Sequence, residues 1–335
     1  MTPHPHRSHF RHAALFYAGE DAYAGSLVPF IRAGLEVGEP VLVMVPGPKV
    51  DLLRGALGSI ASEVQFADMT EVGANPGWII PAWRDFVEER SEPGTRLRGI
   101  GEPIWAGRSP AELIECQRHE ALLNVAFDGA APMDLLCPYD QRALDDSVVE
   151  EAFRSHPLVV ENGNFLDSST YVGVETAAKP FGVPLPAAPT DAATLEFEPS
   201  TLQAIRVFVA MGAADAGLDP LRTEDLVLAV NELASNSVRH GGGSGVLRTW
   251  VEGRSFVVEV SDSGQIDYPL AGREQPLSGQ VGGHGLWLVN QLCDLMQMRT
   301  YPTGSVVRVH IHRDHRATAP TGPRVGRTRA RTAVG

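Results

Sequence analysis

The stretch "ETAAKPFGVPLPAAPTDAATLEFEP", Glu175 to Pro199, holds five prolines in 25 residues. Each proline fixes φ and removes a backbone donor, so neither a helix interior nor a central strand can run through it. The 335-residue chain is long enough for two domains, and this segment divides it. The expected layout is an N-terminal unit over 8–175, a Pro/Ala-rich linker over 176–194, a second unit over 195–312 and a basic tail over 313–335.

The first unit alternates between two textures. "HAALFYAGE" (His12–Glu20), "PVLVMVP" (Pro40–Pro46), "VQFADM" (Val64–Met69), "LRGIGEPIW" (Leu97–Trp105) and "MDLLCPYD" (Met133–Asp140) predict strands. The wholly apolar second run fits a strand buried on both faces. Helical spacing separates them at Asp21–Val37, where Asp21 is the expected N-cap, at Val50–Ala61, Ile80–Arg90 and Pro110–Ala126. Such alternation implies an α/β fold with a mostly parallel sheet. No phosphate-loop motif and no dinucleotide fingerprint occurs anywhere in the chain. His12, Tyr17, Glu20, Tyr139 and Asp140 are expected at strand ends, where open α/β sheets bind ligands.

The second unit carries the chemistry. Pro199–Gly217 and Thr223–Arg239 read as helices, the latter with Thr223 as cap. Within "NELASNSVRHGGG", Glu232 and Asn236 are four apart and share a helix face, with Cβ atoms about 5–6 Å apart. Asn236 offers a neutral oxygen suited to Mg²⁺ that already carries phosphate, and Glu232 can take a proton from a hydroxyl. A solvated polar helix face accounts for the same residues. "SFVVEVSDSG" predicts a strand ending in Asp262 at the sheet rim, turned by Ser263 and Gly264; "VLRTWVEG" and "SVVRVHIH" predict two more strands. In "GQVGGHGLWLVNQLCD", Gly282, Gly283 and Gly285 precede a helix, and a glycine-rich turn at a helix N-terminus can cradle an anion.

Charge narrows the partners. The net charge is −13, with +5 in Arg313–Gly335 and −18 in the other 312 residues. An acidic body disfavours nucleic acid and suits protein or metal–nucleotide partners. The tail has little to bury and reads as disordered. Cys116, Cys137 and Cys293 are too few and too scattered for a disulfide framework and fit a reducing cytoplasm. The N-terminus has no apolar core, and no run reaches the ~20 residues of a membrane span.

The order of motifs closely resembles the GHKL ATPases over residues 195–312: a Glu/Asn helix, a strand with D-x-G, a glycine-rich loop opening a helix, then a strand preceded by "TGS". "NELASNSVRHG" matches that family's N box, "DSG" its first glycine box and "GGHGLWLV" its second. The resemblance implies an α+β two-layer sandwich of the Bergerat type that binds ATP with Mg²⁺. By it Asn236 holds the metal and Asp262 reads the adenine. Gly282, Gly283 and Gly285 cover the phosphates, Gly264 and Leu286 line the nucleotide, and Ser305 stands near the base.

"DSGQIDYPL" lacks the second glycine usual in histidine kinases and is similar to the anti-sigma-factor serine kinase branch. That likeness implies a sigma factor or a STAS-domain antagonist as partner, with Glu232 as base and Arg239 and His240 near phosphate. "HAALFYAGEDAYAGSLVPFIRAGLEVGEPVLVMVP", "LLCPYD" and "HPLVVENG" resemble the MEDS sensory domain over roughly 8–175. This implies a RecA/KaiC-like sheet without a phosphate loop that takes a small organic ligand. Two other readings stay open, an atypical histidine kinase using His119 in "CQRHEALLN" or another histidine, and a binding module in which no transfer occurs. Homodimerisation stays open too.

Overall fold

The computed structural model describes residues 10–129, 132–173, 184–276 and 283–314. Its first sheet contains β1 (Phe10–Tyr17), β2 (Val41–Val45), β3 (Gln65–Asp68), β4 (Leu97–Gly101), β5 (Met133–Asp140), β6 (Leu158–Glu161) and β7 (Asn164–Asp167). The strand order is β3-β2-β4-β5-β1-β6-β7, parallel throughout except for the terminal β6–β7 hairpin. Asn162 and Gly163 close that hairpin with φ of 49° and 77°. This is the Asn-Gly signal of a two-residue turn whose twist matches the strands.

Among the described residues six helices cover the sheet: α1 (Glu20–Glu36), α2 (Gly47–Leu57), α3 (Met69–Val72), α4 (Ile79–Arg90), α5 (Pro110–Ala126) and α6 (Asp146–Ser155). Because both faces are covered, all five residues of β2 are buried. One apolar core gathers Met69, Trp83, Phe86 and Phe127. The other gathers Leu27, Ile31, Val43 and Leu53 on the opposite face.

The second sheet is antiparallel, in the order β11-β12-β10-β9-β8. It consists of β8 (Ala193–Phe197), β9 (Gly245–Glu252), β10 (Ser255–Asp262), β11 (Leu295–Tyr301) and β12 (Gly304–His312). Helices α7 (Leu202–Asp215), α8 (Pro220–His240) and α9 (His284–Leu292) lie on one face. Phe256, Val258 and Val260 alternate toward Leu226, Val230 and Leu233 of α8 in a single core. The other face carries Arg248, Glu259 and Arg308. There the backbone of the linker crosses, with Arg308 Nη2 donating to Pro186 O at 2.7 Å and to Glu259 Oε2 at 2.6 Å. The two-layer α+β sandwich and the parallel α/β unit are thus the two architectures expected.

Several local expectations change. Asp21 does not cap α1. The β1–α1 connection is only Ala18 and Gly19, and Gly19 at φ 91° makes the turn, which puts Glu20 and Asp21 in the first helical turn. A two-residue connection leaves no room for a phosphate loop. Thr223 does not cap α8 either. Asp219 does, accepting from Leu221 N at 2.9 Å, with Pro220 at the first helical position. β4 stops at Gly101, short of the Trp105 expected from sequence. The basic tail from 315 onward and Gly282 lie outside the described residues.

Candidate functional site

Three segments converge at one end of the second sheet. α8 presents Glu232 and Asn236, both half-buried, one turn apart. Facing them is Gly285 in the first turn of α9. A Cβ there would sit 2.9 Å from Asn236 Nδ2 and 3.2 Å from Glu232 Oε2. Only a residue without a side chain lets the helix start come this close. Gly283 precedes it in the left-handed region, φ 82°. The glycine-rich N-terminus of α9 and the two polar groups of α8 therefore border one space.

Asp262 ends β10 and ties the third segment in. Its Oδ2 accepts from Ser237 Oγ of α8 at 2.5 Å, and its Oδ1 accepts from Gly264 N at 2.8 Å and Ser305 Oγ at 3.1 Å. Ser263 N and Oγ donate to Gly241 O, at 3.1 and 2.9 Å, so the end of α8 is pinned to the sheet rim. Gly304 passes so close that a Cβ would lie 1.9 Å from Asp262 O, at φ 143°. Leu286 is half-buried and packs on the core of this unit. Arg239 and His240 are exposed, and Arg239 Nη2 donates to Asn236 Oδ1 at 3.3 Å.

These residues suit a metal-bound nucleotide. An amide oxygen and a carboxylate on one face, opposite a helix N-terminus of glycines, provide a cation ligand, a base and backbone donors for phosphate. A cleft of about 700 Å³ opens at the same rim and shares Asp262 and Ser305 with this site. Its lining includes Val246, Ser261 and Val306, which alternate away from the helices, so it lies on the opposite face from Glu232. With Glu196, Glu198 and Asp262 on its walls it would repel a triphosphate.

The first unit meets this site through the segment between the two glycine turns. Leu270 is buried in the core of the first unit. Arg273 Nη2 donates to Glu115 Oε2 of α5 at 3.0 Å, Arg299 Nη1 of β11 donates to Glu115 Oε1 at 2.9 Å, and Arg84 pairs with Glu274. Asn75 Nδ2 donates to the carbonyls of Asn290 and Cys293, at 3.1 and 3.0 Å, and Trp78 Nε1 to that of Asn290 at 2.7 Å. These carbonyls belong to the C-terminal end of α9, whose last acceptors have no partner within the helix. One domain thus caps the helix whose other end faces Glu232 in the other domain.

Within the first unit the expected strand-end residues separate. Tyr17 OH donates to Glu102 Oε1 at 2.9 Å and Tyr23 OH to Oε2 at 3.2 Å, with Lys49 pairing to the same carboxylate. Burial raises the Glu102 carboxyl and both phenols, against Lys49 in the case of Glu102. Asp140 closes a turn by accepting from Arg142 N at 3.0 Å. His12 is not at a strand end. It is the third residue of β1, wholly buried beside Glu120, Cys137 and His156, because β1 is central and its mid-strand positions are covered by α5. Tyr139 packs edge-on against His156, ring centroids 5.6 Å apart. His119 is 1% exposed, and burial pushes its pKa down to about 3.

A five-stranded antiparallel sheet with three helices on one face, and a glycine-rich helix start set against a Glu/Asn face, defines an ATPase domain of the histidine-kinase type. Residues 195–311 match the family model of the histidine kinase-like ATPase domain. Residues 11–157 match that of MEDS, the methanogen/methylotroph DcmR sensory domain. The chain therefore carries a MEDS sensory domain followed by a histidine kinase-like ATPase domain. It is similar to the solved RsbU and RsbW domains of a Mycobacterium tuberculosis protein, at 19% identity over 37% of this chain and 33% of that one, TM-score 0.29. It is also similar to the histidine kinase AdeS of Acinetobacter baumannii, at 12% identity over 37% of this chain and 68% of that one, TM-score 0.22. The chain spans about a third of the Mycobacterium structure. No curated protein matches it. Among the described residues no helix is long and apolar enough to cross a membrane.

Proposed function

We propose that the chain is a cytoplasmic signalling regulator whose second domain binds MgATP and phosphorylates a serine of a protein partner, under control of the sensory domain. The observation that carries this reading is the approach of Gly285 to Glu232 and Asn236, which sets the start of a glycine-rich helix against a metal-ligand oxygen and a base. MgATP, when bound, supplies the phosphoryl group and a cation to neutralise its charge. The chain's own residues then do little but position groups, which is what phosphoryl transfer demands. The Asn236 amide oxygen, which here accepts from Arg239 Nη2, would hold the cation. Asp262, already accepting from Ser237 and Gly264, presents its carboxylate to an exocyclic amine. Glu232 accepts the proton of the attacking hydroxyl.

A sigma factor or a STAS-domain antagonist is the partner this reading favours, and the −18 charge of the body agrees with a protein partner rather than nucleic acid. Burial of His119 in the packed face of α5 counts against that residue as the acceptor of a histidine kinase. The test is transfer from γ-labelled ATP with Mg²⁺, alone and with extract from the host. Acid-stable label on a small partner supports serine transfer. Acid-labile label on the chain itself overturns it in favour of a histidine kinase. ATP binding with no label anywhere leaves a binding module.

A further inference from the structure

The interior of the sensory domain holds a cluster that nothing in the ATPase account uses. His12 of β1, Glu120 of α5, Cys137 of β5 and His156 before β6 each bring one donor atom to a common point, all four atoms within 4.8 Å of one another. None of the four is more than 1% exposed. His12 Nε2 lies 3.1 Å from Glu120 Oε2 and 3.3 Å from Cys137 Sγ, and His156 Nε2 lies 3.3 Å from the same carboxylate oxygen. Ligands on a tetrahedral zinc-type ion at bond lengths of 2.0–2.3 Å are about 3.3–3.8 Å apart. Three of the cluster's distances already lie within about 0.2 Å of that range, and no pair is more than 4.8 Å apart.

Both histidines are oriented from behind. His12 Nδ1 faces Asn124 Oδ1 at 3.0 Å, and His156 Nδ1 faces Ala152 O at 2.8 Å. A backbone carbonyl only accepts, so His156 Nδ1 carries a proton and the neutral ring turns an Nε2 lone pair to the cluster. Asn124 holds its oxygen toward His12 because its Nδ2 donates to Ser155 O at 2.8 Å, which gives His12 the same tautomer. Such an outer hydrogen bond on the far ring nitrogen is how metal-ligating histidines are fixed. Two neutral Nε2 lone pairs then face an acceptor-only carboxylate. Among the described residues, His156 Nε2 and Glu120 Oε1 are buried without a hydrogen-bond partner. A cation at their centre satisfies all of these groups. Two neutral imidazoles, one thiolate and one carboxylate also balance a divalent charge, and the Cys137 thiol gives up one proton to solvent as it binds.

We propose that His12, Glu120, Cys137 and His156 form a tetrahedral site for a divalent transition-metal ion of the zinc class in the core of the sensory domain. Nitrogen, sulfur and oxygen donors in this mixture exclude Mg²⁺ and Ca²⁺, which take oxygen ligands. Its carboxylate, Glu120, lies on α5, the helix that also carries Glu115 to the ATPase domain. The site shares no residue with the nucleotide pocket.

Full-length protein, stripped with a chelator and titrated with Co²⁺, tests the site. The expected result is one equivalent bound, with intense ligand-field bands of tetrahedral cobalt and a thiolate-to-cobalt charge-transfer band, both displaced by one equivalent of Zn²⁺. His4, His6 and His9 offer nitrogen ligands to cobalt but no thiol, so the charge-transfer band reports the buried cluster alone. Cys137→Ser is expected to lose that band, while Cys293→Ser keeps it. The weak spectrum of octahedral cobalt in the wild-type chain, or a charge-transfer band that survives in Cys137→Ser, would overturn the proposal. The wild-type spectrum decides even if the variant fails to fold.

Discussion

Glu115 of the sensory domain holds Arg299 of the ATPase sheet at 2.9 Å, both residues at most 2% exposed. The same carboxylate takes Arg273 at 3.0 Å from the segment between the two glycine turns. One buried charge on α5 thus joins the sensory domain to the sheet and to the segment that precedes α9. A change in the position of α5 cannot leave both guanidiniums where they are.

Glu115→Ala is predicted to destabilise the protein by about 3–5 kcal/mol, the usual cost of breaking a buried ion pair from one side. The two guanidiniums would face each other with no carboxylate between them. Calorimetry should show the wild-type chain melting in one transition and the variant in two, as the domains part. A single transition at the wild-type midpoint would mean that Glu115 does not join them.

Asn75 caps the end of α9 from the other domain, and Asn75→Ala removes a donor from buried carbonyls. The expected loss is about 1–3 kcal/mol. Because the opposite end of α9 faces Glu232, nucleotide affinity should change as well, although Asn75 is remote from the pocket. Stability and nucleotide titrations on the same variant check both parts.

Gly285→Ala separates folding from binding. Alanine in the first turn of α9 favours the helix by up to ~1 kcal/mol over glycine. Its methyl would press on Asn236 and Glu232 at 2.9 and 3.2 Å. The predicted outcome is unchanged or higher thermal stability with nucleotide affinity reduced tenfold or more, about 1.4 kcal/mol, read by calorimetric titration.

His310 gives a pH dependence. Burial first, with Arg308 and His312 next, pushes its pKa down to about 4 against the pull of Glu252. The unfolded chain, with an ordinary histidine near 6.5, takes up the proton first. Stability is therefore complete above about pH 6.5 and falls as the pH drops toward 4, by about 2 kcal/mol at pH 5. His310→Gln should lose about that much less stability between pH 7 and pH 5 than the wild type in denaturant unfolding.

The two architectures were legible because proline density, period-2 runs and period-3.6 runs are local properties. Three motifs single out Glu232 and Asn236, Asp262, and the glycines at the start of α9, and the structure brings Glu232, Asn236, Asp262 and Gly285 to one end of the second sheet. β11 was not legible. Its outward residues include Gln297 and Arg299, polar groups that read as solvent-facing, yet both are buried because His310 and the sensory domain's Glu115 satisfy them. The caps of α1 and α8 lie two and four residues before the expected Asp21 and Thr223, because Gly19 and the Asp219-Pro220 pair take the turns. The buried His/Glu/Cys/His cluster joins residues more than a hundred positions apart, and no spacing within any one segment announces it. Of its four members the sequence singles out His12, as a strand-end residue, and Cys137, as one of three scattered cysteines.

The most direct test of the account is calorimetric titration of MgATP into the wild-type chain and Asn236→Ala, each with and without Mg²⁺, beside a thermal melt. The account predicts Mg²⁺-dependent binding by the wild type and its loss in a variant that melts normally. Equal MgATP affinity in the two proteins would contradict the placement of the nucleotide between α8 and α9.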